Sequence, residues 1–198
     1  MNLKHKLHQH IDTYNLLNSR FYQAWSAGEL PRAALQKYTQ EYGDFIRMLP
    51  QGWQRVNDQP TVEEEQEHIE LWQTFAASLD TEIAAASIPE VKALVDQSQT
   101  WFAQPATALG ALYAFEAQQP ATAVSKLEGL RSHYPVSPQA EEYFEVHSNN
   151  QHEAEKLLDL IQALPANQQE QAIAACEQMS AALWDALEGI YTSTVEIQ

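Results

Sequence analysis

Apolar positions along this chain recur at three- and four-residue steps, with little of the Val/Ile-rich alternation that marks strands. That period is helical. Residues 3–27 predict one or two helices, ended near Gly28, with Pro31 suited to the first turn of the next. Leu35, Tyr38, Tyr42, Phe45 and Ile46 then mark a helix over 31–48, which Pro50 and Gly52 interrupt. A helix over 60–79 opens on Glu63, Glu64 and Glu65, where acids favour the positive helix end, and carries His68 one turn before Leu71, Trp72 and Phe75. A short helix over 89–97 and long ones over 138–163 and 166–191 follow, separated by the segment discussed next. There is no repeat of fixed period, no low-complexity tract and no long linker. The pattern predicts one all-α domain over residues 1–198, a bundle of seven to eight helices.

The segment 107–134 organises the rest. Its first half is apolar on nearly every face, which marks a buried helix. Glu116 nonetheless shares a stripe with Leu109, Leu112 and Tyr113. A buried carboxylate must be paired, hydrogen-bonded, protonated or metal-bound. Four residues later Pro120 cannot donate to the Glu116 carbonyl, so the helix is expected to kink beside its own acid.

Composition narrows the partners. A formal charge of −16 repels phosphate, which argues against nucleic acid and anionic membranes. The single Cys176 excludes an intrachain disulfide and any multi-cysteine metal site. The basic start, MNLKHKLHQH, is not followed by the apolar stretch of a secretory signal, and no run reaches the roughly 20 apolar residues of a membrane span. The expectation is a soluble, cytoplasmic protein.

Glu64 and His68 lie four apart and aim at one side of their helix; Glu116 and His147 come from two others. Carboxylates and imidazoles converging from several helices are the usual di-iron or di-manganese arrangement. The bland reading of each is a solvated acid at a helix start or a satisfied histidine. Tyr22, Trp25, Tyr38 and Tyr42 read as core or as a pocket wall, and Lys126 as a surface lysine or one reaching a buried phenol or acid. Cys176, among alanines, reads as a small core residue.

The blocks FYQAWSAGELPRAALQKYTQEY, HIELWQTFAASL, ALYAFEAQQPATAVSKLEGLRSHY, YFEVHSNNQHEAEK and ALWDALEGIY, in that order, resemble the CADD-like (Chlamydia protein associating with death domains) and PqqC/TenA-like proteins of the haem-oxygenase-like fold. The resemblance runs from about residue 20 to residue 191. It implies a seven- to eight-helix domain, commonly a homodimer, near the di-iron oxidases that use oxygen on small molecules. It implies metal ligands at His68, Glu116 and His147. Thr61, Gln151 and Ala154 stand where the pattern has two acids and a histidine, and Glu64 or His152 would have to substitute. The ligand set then supports at most one iron or manganese ion, on two histidines and one carboxylate, or none. In the p-aminobenzoate-forming branch the sacrificed tyrosine corresponds to Tyr22, a pocket tyrosine to Tyr38 and the essential lysine to Lys126. Three readings follow: an oxidase of cofactor biosynthesis, p-aminobenzoate- or quinone-cofactor-like; a metal-free acid–base or thiaminase-like enzyme using Glu116, Tyr22 and Lys126; and a non-catalytic binding protein. The thiaminase acid falls at Glu41, a near miss.

Overall fold

The computed structural model describes residues 2–196, and every regular element in them is helical. α1 (Leu3–Thr13) is joined by a single 3₁₀ turn to α2 (Arg20–Ala27); α3 (Arg32–Ile46) and α4 (Leu49–Arg55) follow, then α5 (Gln59–Ser78) and α6 (Pro89–Trp101). α7 (Pro105–Glu116), α8 (Gln119–His133), α9 (Pro138–Ser148), α10 (His152–Gln162) and α11 (Ala166–Tyr191) complete the bundle. The pairs α3/α4, α7/α8 and α9/α10 are each broken by only two or three residues. Counted as interrupted helices they give eight, as the periodicity predicts.

The breaks carry the differences from the sequence reading. Pro50 does not end a helix but occupies the first turn of α4, where its missing N–H has no helix partner to lose. Gly52 lies inside α4, and its bare Cα lets Phe102 and Leu112 close in on the backbone. Pro120 falls in the first turn of α8 in the same way, so the expected kink is a full interruption directly after Glu116. The single helix expected over 138–163 is divided at Asn149, Asn150 and Gln151. Asparagine side chains compete for backbone partners and favour turns over helix interior.

α7 is the central element, buried along nearly its whole length and packed chiefly on α11. The two backbones meet at Gly110, where an added Cβ would sit 1.9 Å from the Ala172 carbonyl oxygen. Neither helix can give way there without displacing the other. Gly110→Ala should cost about 3 kcal/mol, the upper end of the usual range for overpacking, read as a lower urea midpoint at unchanged slope. A midpoint equal to wild type would show that the approach is looser than described. α4 and α10 also pack on α7, while α5 packs on both α4 and α9. Lys156 of α10 reaches the start of α5, bonding Asp58 at 2.7 Å and Thr61 at 3.1 Å. This contact fixes α10 against α5.

No helix among the described residues is long and apolar enough to cross a membrane. Among the described residues the large exposed hydrophobics are Val124, Val146 and Leu160, on α8, α9 and α10.

Candidate metal centre

Glu116 ends α7, Glu65 sits in the second turn of α5, and Glu153 is the second residue of α10. Each of the three offers a carboxylate oxygen within 4.8 Å of the others. All three are buried, at 1 %, 1 % and 0 % exposure for Glu65, Glu116 and Glu153. Both oxygens of Glu116, both of Glu153 and one of Glu65 lack a hydrogen-bond partner among the described residues. Glu41 shows what a structural buried acid looks like here. It accepts from the Ser87 and Ile88 backbone N–H groups and the Ser87 hydroxyl, and it pairs with Lys37. Those partners hold its pKa below the usual carboxylate range despite the opposing effect of burial. Nothing comparable serves Glu116. Burial, then the neighbouring Glu153 and Glu65, push its pKa well above the ordinary value.

Two imidazoles flank the cluster. His68 Nδ1 lies 3.4 Å from Glu65 Oε2, on the same face of α5 one turn later. Burial lowers the His68 pKa, but the Glu65 carboxylate outweighs it and the net shift is upward. The His147 ring centroid lies 4.3 Å from that of His68. His147 Nδ1 is 2.6 Å from the Tyr143 carbonyl oxygen, an acceptor, which assigns the proton to Nδ1 and leaves Nε2 as a lone pair. Burial, with His68 beside it, lowers the His147 pKa to about 3, so the ring is neutral. A neutral imidazole fixed by a backbone carbonyl is the usual form of a ligating histidine.

Five unpartnered buried carboxylate oxygens and a neutral imidazole fit a transition-metal ion, because an oxygen-and-nitrogen donor set of this charge is costly to leave without a cation. His68 meets His147 and Glu65 directly, and Glu65 in turn lies beside Glu116. Glu64 does not: it is exposed, and the residue directed inward from that turn is Glu65, about 100° around the helix. Thr61 is bound to Lys156 instead of standing as a ligand. Gln151 and Ala154 line a cavity of about 210 Å³ that reaches Glu116 from the side of α1, walled also by Lys4, His8 and Tyr113. His68 and His147 are not part of that wall.

A second cluster lies across the aromatic core. Lys126 is buried, with its Nζ 5.1 Å from the Tyr22 ring centroid, 5.2 Å from Tyr38 and 5.5 Å from Phe144. No described residue offers it an ion pair, and burial lowers its pKa to about 7. Burial raises the phenols of Tyr22 and Tyr38, so both stay protonated. Rings connect the two clusters: Tyr38 to Trp72 at 5.4 Å, Trp72 to Tyr143 at 4.8 Å, and Tyr143 to His147 at 4.3 Å between centroids. Cys176 is buried and its thiol is pushed up to about 12, the state of a core residue and not a nucleophile.

Comparison with known proteins agrees with this architecture. A family profile described as iron-containing redox enzyme matches residues 53–185. The chain is 29 % identical to a 4-aminobenzoate synthase of Chlamydia pneumoniae, over 95 % of this chain and 94 % of that one. Among solved structures it superposes on a domain with a haem-oxygenase-like fold from Shewanella denitrificans with a TM-score of 0.74, at 18 % identity, covering 96 % of this chain and 91 % of that one. A TenA homologue from Pseudomonas syringae gives a TM-score of 0.75 at 14 % identity, covering 96 % and 93 %. The fold is haem-oxygenase-like.

Proposed function

The chain belongs to the family of iron-containing redox enzymes, and from that premise we propose that it is an oxidase forming 4-aminobenzoate, with iron held by Glu65, Glu116, Glu153, His68 and His147. Bound iron would supply the activation of dioxygen. The observation that carries the reading is the buried Lys126 amine set against the rings of Tyr22 and Tyr38. With its pKa near 7, much of that amine is neutral at neutral pH and keeps a nitrogen lone pair beside a phenol. In the p-aminobenzoate-forming branch that the sequence resembles, Tyr22 is the residue consumed and Lys126 the essential lysine. The packing around them keeps both in a water-poor, aromatic environment.

Expression in a bacterium unable to make 4-aminobenzoate tests this. Wild type should restore growth without added 4-aminobenzoate, whereas Tyr22→Phe and Lys126→Met should not. Intact-protein mass spectrometry should then find a fraction of wild-type chains altered at Tyr22. Growth restored equally by Tyr22→Phe would remove that tyrosine from the reaction. We infer a homodimer from the same resemblance; light scattering that reports a monomer over a wide concentration range would end that inference. The reduced, buried Cys176 and the acidic surface suit a cytoplasmic enzyme.

A further inference from the structure

We propose a second, outer metal site formed by Glu64, His152 and Glu153, from which a divalent transition-metal ion passes to the buried cluster. The three residues offer ligand atoms that all lie within 4.8 Å of one another. Glu153 belongs to both groups, is fully buried, and has neither oxygen engaged by a described residue. One oxygen is therefore free for each side. The sequence builds this with two consecutive pairs, Glu64–Glu65 on α5 and His152–Glu153 at the start of α10. Neighbours on a helix diverge by about 100°, so each pair presents one donor inward and one outward.

Glu64 and His152 are both exposed, so their side chains can rotate to bring the donors to the bond lengths of about 2.0–2.2 Å that such ions take from oxygen and nitrogen. An imidazole with two carboxylates selects Mn(II), Fe(II) or Zn(II) over the alkaline-earth ions. Solvent exposure weakens cation binding at the outer site. The inner site has three buried carboxylates, and only the positive end of α10, common to both sites through Glu153, opposes it. An ion captured outside thus moves inward down a gradient of affinity, with Glu153 as the shared ligand. The outer site stands on its own residues; the inward transfer rests on the reading of the inner cluster as the metal centre.

Titration of the metal-free protein with Mn²⁺, followed by loss of the free-ion electron paramagnetic resonance signal, tests both. Wild type should bind two ions, one tightly and one weakly. Glu64→Gln combined with His152→Ala should lose the weak ion, keep the tight one, and fill the tight site about tenfold more slowly at limiting metal. Glu116→Gln should lose the tight ion and keep the weak one. One ion in wild type, with count and filling rate unchanged in the Glu64/His152 variant, would overturn the proposal and leave the inner centre intact. A full count in Glu116→Gln, with one ion lost from the Glu64/His152 variant, would instead sustain the outer site and remove the inner reading.

Discussion

Metal-free protein carrying Glu116→Gln should melt at a higher temperature than metal-free wild type at neutral pH, and added metal should no longer raise its melting point. Glu116 is buried with unpartnered oxygens beside two further carboxylates. Leaving such a group unsatisfied costs about 1–3 kcal/mol, more when it is charged, and the amide relieves the charged part of that cost. For a domain of this size the gain corresponds to a rise of roughly 2–8 °C. The sign of the pH dependence follows from the raised pKa. Near and below the ordinary value of 4.5 the carboxyl is protonated folded or unfolded and contributes no difference. As pH rises above that value the unfolded chain releases the proton more readily than the folded one, and metal-free wild type loses stability. The gap between variant and wild type should therefore open as pH rises from about 4.5. Metal at a hundred times its dissociation constant stabilises wild type by about 2.7 kcal/mol, and the variant should lack that increment. Calorimetric scans across pH, with and without metal, decide the matter. Identical melting curves for both proteins, or an equal metal-induced rise in both, would refute this account of the cluster.

Lys126→Met should separate stability from activity, raising the first while abolishing the second. The lysine pKa falls from 10.5 to about 7 on burial, which means that the folded state binds its proton more weakly than the unfolded chain does. The penalty is fully present below about pH 7, shrinks as pH rises, and vanishes above 10.5. A depression of this size corresponds to on the order of 4 kcal/mol at pH 6. Methionine fits the same aromatic surroundings without a charge. Urea unfolding at pH 6, 8 and 10 should show the variant more stable at pH 6 by up to that amount, with the difference nearly gone at pH 10. Formation of 4-aminobenzoate should cease at every pH. A variant less stable than wild type at pH 6 would mean that Lys126 has a partner which offsets its burial.

The fold was legible because helix content, the buried character of 107–116 and the punctuation by prolines all point one way. The last helix, 166–191, has the bounds its periodicity predicts. Glu116 was legible for the same reason: an acid inside an apolar stripe has few innocent explanations. The acid directed at the buried cluster is Glu65, one residue from the Glu64 that the spacing singles out. Glu65 lies seven before Trp72 and so shares its face, and Trp72 with Phe75 and Ala76 is what the core buries. A spacing of four from His68 singles out Glu64, whereas Glu65, three before it, is the acid that meets the imidazole. Glu153 could not be placed by spacing from His147 because the spacing assumed a continuous helix. The interruption at 149–151 resets the phase, and the Asn-Asn pair was its only local sign.

The three inner carboxylates come from stretches of chain centred on residues 65, 116 and 153. A chain still being synthesised cannot assemble the cluster until α10 has emerged and docked. Until an ion binds, unpartnered buried carboxyl groups face one another in the seam between α5, α7 and α10. Opening of that seam exposes chain to proteases in proportion to its population. On the proposed iron centre, iron supply would govern how many copies of the protein survive as well as how many are active, and iron-starved cells should hold less of it at an unchanged rate of synthesis.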